Sequence, residues 1–289
     1  RSPYIRIARA ICRAANLCSF HPGDINHWMS NTFRGRDLDR RFYVSGGNDS
    51  LFALAYLPLG DDQPTFELMI DPDHRGGPFE RDMLLDCESA FWRTLNQSHI
   101  VTNVFNTDSL RDHTLVGLGY FADAEPFQCL NTRPLAGPLP SASLPDGFAI
   151  RNVEGEHEAD AVRTAHDHAF RPNWSADEYR AVMRTPDFDP HRELVVVAPD
   201  GRAAAFLVYW LDPISKSGLF EPIGCHREFQ RRGLTKALMV EGLRRMIDAG
   251  METAIISHQV GNAASMALYA SVGFKARCTV RSYSKARSS

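Results

Sequence analysis

The stretch Phe220–Lys236, FEPIGCHREFQRRGLTK, decides how this chain is read. A short apolar run passes through a polar turn into Gln230-Arg231-Arg232-Gly233-Leu234-Thr235, followed by an amphipathic segment from Leu238 to Met246. A strand, a glycine-bearing turn and a helix start together make an anion site. The first N–H groups of a helix lack internal partners, and the helix dipole leaves partial positive charge there. Gly233 admits a phosphate close to the backbone, where a Cβ would obstruct it. Arg231, Arg232 and Lys236 add full charges. The turn carries neither the G-x-x-x-x-G-K-[ST] of a phosphate loop nor the G-x-G-x-x-G of a dinucleotide site. On residue type alone, a solvated basic turn ahead of an ordinary helix stands beside the phosphate reading.

A second stretch, Asn262 to Phe274, reads NAASMALYASVGF. Asn262 is a helix N-cap, Met266 and Tyr269 lie three apart on one helical face, and Gly273 sits where the helix stops. Together the two stretches resemble the GNAT superfamily of acyl-CoA-dependent N-acyltransferases. Its pattern [QR]-x-x-G-x-[GA] is met at Gln230 and Gly233, with Thr235 in place of the usual small residue, which narrows the room for a pyrophosphate. Its pattern N-x-x-[AS]-x-x-L-Y-x-x-x-G-F is met at Asn262, Ser265, Leu268, Tyr269, Gly273 and Phe274.

The chain has 289 residues, 44% of them hydrophobic, and a formal net charge of −3. That length suits one large or two ordinary domains. The near-neutral balance, with no long basic block, argues against a nucleic-acid protein. No apolar run approaches the roughly 18 to 20 residues that span a bilayer. Six cysteines and eleven histidines are scattered without C-x-x-C or other ligand spacing, so the expectation is reduced thiols, a cytoplasmic setting and no structural metal.

Arg133 to Gly147 carries four prolines and two glycines with no apolar period and reads as a linker. It divides the chain into residues 1–132 and 148–289. In the second part, a strand at Phe148–Arg151 precedes helices at Glu156–Phe170 and Ser175–Met183. Strands at Glu193–Ala198, Ala203–Trp210 and Gly218–Cys225 come next, then the long helix, a strand at Thr253–Ser257, the Asn262 helix and a final strand over Phe274–Tyr283. That order predicts an α/β fold, a mixed sheet with helices on both faces, and it is the GNAT order. The first part repeats it faintly: helices at Ile7–Leu17 and Asp24–Ser30, strands at Arg41–Ser45 and Leu51–Leu57 across a Gly46-Gly47-Asn48-Asp49 turn, then Phe66–Ile70. Pro78 falls at the Gly233 position and Glu80 at that of Thr235, and Gly119-Tyr120 falls at Gly273-Phe274. Anchors that agree to one residue indicate a duplication, hence two tandem GNAT folds. Pro78 removes a backbone N–H and Glu80 adds negative charge, so the first copy is expected to be a degenerate scaffold or substrate wall that binds CoA poorly.

The resemblance implies an acetyl-CoA-dependent N-acetyltransferase acting directly on a small-molecule amine of antibiotic, aminosugar or peptide-like character, as a monomer or homodimer. A non-catalytic acyl-CoA sensor or partner-binding module and a protein N-terminal acetyltransferase remain as alternatives. By resemblance the pantetheine arm pairs with the backbone of Ile223, Gly224 and Cys225, and the pyrophosphate meets N–H groups from Arg231 to Lys236. Asn262 contacts the pantetheine region. Tyr269 is the general acid toward the CoA thiolate; a phenol with pKa near 10 is protonated at neutral pH. Glu221 is the base or water holder, with Pro222 helping to splay its strand, and His258 is the rival base. Cys225 contributes its backbone rather than a covalent intermediate. The acceptor pocket is expected between the loop His166–Trp174, Tyr179 and the N-terminal half.

Overall fold

The computed structural model describes residues 3–30, 42–47, 50–57, 64–170, 175–184 and 188–287. The first half runs α1 (Pro3–Ala14), α2 (Pro22–Ser30), β1 (Phe42–Gly47), β2 (Ser50–Tyr56), β3 (Thr65–Ile70), α3 (Pro78–Thr94), β4 (His99–Phe105), α4 (Ser109–Gly117), β5 (Phe121–Ala122) and β6 (Gln128–Pro134). The second runs β7 (Ala149–Asn152), α5 (Ala159–Phe170), α6 (Ala176–Met183), β8 (Glu193–Val197), β9 (Ala203–Asp212), β10 (Ser217–Cys225), α7 (Leu234–Asp248), β11 (Thr253–Gln259), α8 (Ala263–Ser271) and β12 (Lys275–Ala286). The long helix begins at Leu234, directly after the glycine turn. The tip of the first hairpin, Asn48-Asp49, lies outside the described residues, as does Trp174. Among the described residues no helix is long and apolar enough to cross a membrane.

The two halves share one sheet of order β1-β2-β3-β4-β12-β6-β11-β10-β9-β8-β7. They also exchange their last strands. β6, which ends the first half, lies antiparallel to β11 from Pro134↔Thr253 to Gln128↔Gln259. β12, which ends the second half, pairs with β6 through Val280 and with β4 from Val280 to Ala286. The boundary read at Asn131-Thr132-Arg133 therefore falls inside a strand of the second half's sheet, because Arg133 and Pro134 oppose Ala254 and Thr253. Prolines after that point, not before it, release the chain from the ladder.

Among the described residues of this sheet only β3–β4 and β10–β11 pair in parallel, and each pairing is short. β10 meets β11 over Ser217–Leu219, then diverges. β3 meets β4 over Thr65–Phe66, then diverges. One core lies between the second half of the sheet and α7, built on Leu207, Phe220, Leu238, Leu243, Met246 and Ile256. Its counterpart lies under α3, built on Phe66, Leu84, Phe91, Ile100 and Leu115. The duplication is visible residue by residue. Asp108 and Asn262 cap α4 and α8, and Gly119 and Gly273 follow them with φ of +83° and +87°.

The other anchor shifts by one residue. Pro78 is the first residue of α3 and Leu234 the first of α7, so Pro78 stands opposite Leu234 and Glu80 opposite Lys236. The glycines that cap the two helices, Gly77 and Gly233, are the true equivalents. At its helix start the first copy supplies its own anion. The buried Glu80 carboxylate accepts the Gly76 N–H at 2.7 Å, Arg75 Nε at 2.9 Å and Arg111 Nε at 2.5 Å. Arg75 also reaches both oxygens of Asp108. Burial alone would raise the Glu80 pKa, but Arg111, the Gly76 N–H and Arg75 outweigh it and hold the carboxyl below its ordinary range. Removing one partner of a buried ion pair strands the other. Glu80→Ala is therefore expected to lower stability by about 3 kcal/mol or more, read from urea unfolding; a loss below about 1 kcal/mol would mean that Arg111 finds another partner.

Candidate active site

The gap that opens between β10 and β11 beyond Leu219 and Ile255 is the centre of the site. The other edge of β10 stays paired, with Ile223, Gly224 and Cys225 opposite Leu207, Phe206 and Ala205 of β9. The register slips between Phe220 and Ile223, around Pro222, which has no N–H to give. Gly224 lets the strand pass close under α5: a Cβ there would come within 2.7 Å of both Phe206 and Ala169. Strand edges facing the gap have backbone donors and acceptors available for an extended ligand arm.

At the end of β10 a single 3₁₀ turn, Arg227–Phe229, leads through Gln230 to Gly233, the N-cap of α7. Gly233 is left-handed (φ +79°), and so is Arg231 (φ +61°). The first helical bond of α7 runs from the Ala237 N–H to the Gly233 carbonyl at 3.0 Å. The N–H groups of Leu234, Thr235 and Lys236 thus lie ahead of the helical ladder. Arg231, Arg232 and Gly233 are exposed, and α7 has no acidic residue in its first turn. Nothing lies within 4 Å of where a Gly233 Cβ would stand. Among the described residues Arg231, Arg232 and Lys236 form no ion pair. The turn is an open cradle of backbone donors with uncommitted positive charge around it, and it suits a diphosphate.

Phe229 steadies the turn from beneath, with the Arg202 guanidinium 4.6 Å and that of Arg232 5.6 Å from its ring centre. Arg202 is itself held by Glu228 at 2.6 Å and Asp200 at 2.8 Å. His226 stacks on His168 at 3.6 Å, and burial, with His168 beside it, pushes its pKa down. His166, two residues back, faces the other way and is buried near Phe206 and Tyr179. Cys225 is no activated nucleophile. Burial raises its pKa, with Thr235 and Arg232 only partly opposing, and its thiol donates to the Ala204 carbonyl at 3.4 Å.

Glu221 lies on β10 and Tyr269 on α8. Burial pushes the Glu221 carboxyl up to about 8, and the charge of Asp24 adds to that. Tyr269 is 6% exposed; burial raises its phenol to about 12, Ser265 opposes and Glu221 contributes. The Glu221 carbonyl accepts Trp210 Nε1 at 2.7 Å, which fixes the backbone that carries the carboxyl. His258, on β11, has its ring 5.9 Å from that of Tyr269 and its Nδ1 3.0 Å from the Gln259 carbonyl. Asn262 is exposed, and its side chain accepts the Ser265 N–H at 3.1 Å, so it acts first as the cap of α8.

Two cavities share Trp210 and Phe188. The smaller reaches Pro222 past His166, Tyr179 and Val208. The larger, about 500 Å³, is walled by Pro22, Gly23 and Asn26 of α2 together with Arg9, Asp189 and Arg192. The first half thus forms part of the wall. Sequence reasoning missed Trp210 and the His168–His226 stack, since each meets the site only through tertiary contact.

Residues 159–274 match a family model described as the acetyltransferase (GNAT) family. The chain is similar to proteins named mycothiol acetyltransferase. One, from Thermomonospora curvata, is 32% identical over 49% of the chain and 49% of that relative. Another, from Thermobispora bispora, is 24% identical over 81% of the chain and 80% of the relative. The match thus spans about half the length of the first relative. In fold, the chain resembles a tandem GNAT protein from the clavulanic acid biosynthesis pathway, with a TM-score of 0.67 at 16% identity over 99% of the chain and 95% of that protein. A GCN5-related N-acetyltransferase from Sphaerobacter thermophilus gives a TM-score of 0.65 at 17% identity, over 99% and 94%.

A methyl at Gly233 would meet empty space, so strain alone decides its effect. Gly233→Ala should cost about 1–2 kcal/mol of stability, the penalty of a left-handed non-glycine residue, measured by thermal unfolding.

Proposed function

The C-terminal half of the chain belongs to the GNAT acetyltransferase family, and from that premise we propose that it moves an acetyl group from acetyl-CoA directly to an amine of a small molecule. The observation that carries this reading is the cradle at Arg231–Lys236, which follows β10 directly beyond the point where that strand parts from β11. In this reading the CoA diphosphate rests on N–H groups from Arg231 to Lys236, and the pantetheine arm pairs with Ile223–Cys225. Acetyl-CoA supplies the thioester whose carbonyl carbon the amine attacks.

An ammonium cannot attack, so a proton must leave first. Glu221 is suited to receive it, since a carboxyl near 8 accepts a proton at neutral to mildly alkaline pH and this one is held by its backbone bond to Trp210. Tyr269, pushed up to about 12, keeps its proton until the departing thiolate needs one. His258, its ring 5.9 Å from that of Tyr269, is the reserve for either role. We read the first half as a scaffold and acceptor wall rather than a second CoA site, since Glu80 already fills the anion position at the start of α3. The names of the relatives favour a mycothiol-related amine as acceptor.

Release of free thiol from acetyl-CoA with a panel of amines tests this. kcat/KM should rise with pH through an apparent pKa near 8, because the base works only when ionised. Glu221→Gln should abolish that limb and cut the rate about a hundredfold, within the range typical of a general base. Tyr269→Phe should cut it tenfold or more while leaving acetyl-CoA binding, by calorimetry, unchanged. If both variants stay within about threefold of wild type, the roles are wrong.

A further inference from the structure

β10 ends at Cys225, and the chain must turn before it can present Arg231–Lys236 at the start of α7. His226 stands at that corner. Its N–H donates to the Ala204 carbonyl of β9 at 3.0 Å, and its own carbonyl accepts the Phe229 N–H at 2.9 Å, closing the 3₁₀ turn. Its side chain caps the same turn, with Nδ1 accepting the Glu228 N–H at 3.3 Å. Ser, Thr, Asp or Asn more often fill such a place. A ring does so here, and it is clamped between two others. His226 is 4% exposed, its ring 3.6 Å from that of His168 at an interplanar angle of 16°, and 5.4 Å from that of Phe229.

The stack ties the turn to α5, because His168 Nδ1 accepts Arg227 Nε at 3.1 Å. A guanidinium and a backbone N–H can only donate. Both imidazoles therefore carry their proton on Nε2 and are neutral in this arrangement. Burial and His168 hold His226 below its ordinary pKa; Glu228 opposes them, and Arg202 and Arg227 act in the same direction as burial. One step further along, the Phe229 ring lies under the Arg202 and Arg232 guanidinium groups, and Arg232 Nη2 donates to the Glu228 carbonyl at 3.4 Å. The 3₁₀ turn is thus anchored to β9 and α5 immediately before Arg231 enters the left-handed region at φ +61°. A non-glycine residue stays there only where its surroundings impose it.

We propose that His226 is a positioning residue for the diphosphate of the acyl donor: as the neutral cap of the 3₁₀ turn, stacked on His168, it sets where the N–H groups of Arg231–Lys236 stand. This rests on the acetyl-transfer reading and on the cradle's part in it. The role lies in holding the donor rather than in chemistry at the thioester, so its loss falls on KM for the donor and spares kcat.

Two donors separate these parts. S-acetylpantetheine carries the thioester and arm of acetyl-CoA without the diphosphate. His226→Ala should raise KM for acetyl-CoA about tenfold, the size of one lost cap, and leave kcat within twofold. kcat/KM for S-acetylpantetheine should stay within twofold of wild type. His226→Asn, which returns an oxygen acceptor to the cap, should bring KM for acetyl-CoA back to within threefold of wild type. If thermal unfolding shows that His226→Ala does not fold, His226→Leu keeps bulk beneath His168 without an acceptor and serves the same comparison. Equal losses with both donors mean a general structural role, and an unchanged KM for acetyl-CoA means no role; either result overturns the proposal. Wild type that uses S-acetylpantetheine as well as acetyl-CoA would show that the cradle holds no diphosphate, and the proposal falls with that reading. If wild type acetylates no amine, acetyl transfer fails alone, and calorimetric Kd for CoA, about tenfold weaker in His226→Ala, then decides the role of His226.

Discussion

Everything at this site depends on two parallel strands that stop pairing. β10 and β11 hold together for three residues and then part, leaving backbone groups on both inner edges without sheet partners. Buried amides left unpaired are costly, so a gap of this kind persists only where something meets those groups. In the reading proposed above, that partner in the second half is an extended ligand arm entering between the strands. Pro222 and the slipped register on the β9 side keep the gap from closing. Gly233, left-handed, then turns the chain from the end of β10 into α7, whose first N–H groups lie ahead of the helical ladder.

The first half carries the same constraint and meets it differently. β3 and β4 also separate after a brief pairing, and α3 also starts at the mouth of the gap behind a glycine. There Glu80 occupies the place of the anion and Arg75, Arg111 and Asp108 close around it. Even the glutamate at the fork is retained. Glu67 stands where Glu221 does, and burial pushes it up to about 8, with Asn103 donating to it at 2.5 Å. Of two copies of one scaffold, the first thus holds a charge of its own at its helix start, where the second has no acidic residue in the first turn of α7.

The exchange of β6 and β12 explains why the halves act as one body. Each half completes the sheet of the other, so neither can leave without tearing a strand from its neighbour. The same intimacy lets α2 reach the second half, where Gly23 presses on Trp210 and Pro22, Gly23 and Asn26 help to wall a cavity with Trp210.

Local signals were legible in the sequence because they are local in cause. Gly233 is needed where φ turns positive, Asn262 where a helix starts, and Gly273 where one stops, and each could be read without knowing its neighbours in space. The same holds for the order of strands and helices, which follows from short-range apolar period. The Pro78 alignment slipped by one residue, because spacing between anchors cannot show which glycine caps a helix until the helix is seen. What only the tertiary structure decided is everything that joins distant segments: the exchanged strands, the Glu80 ion cluster, Trp210 on the Glu221 carbonyl, and Gly23 against Trp210. Carboxyl groups written identically in the sequence end above or below their ordinary pKa according to what burial and charge surround them, and those surroundings exist only once the chain has folded.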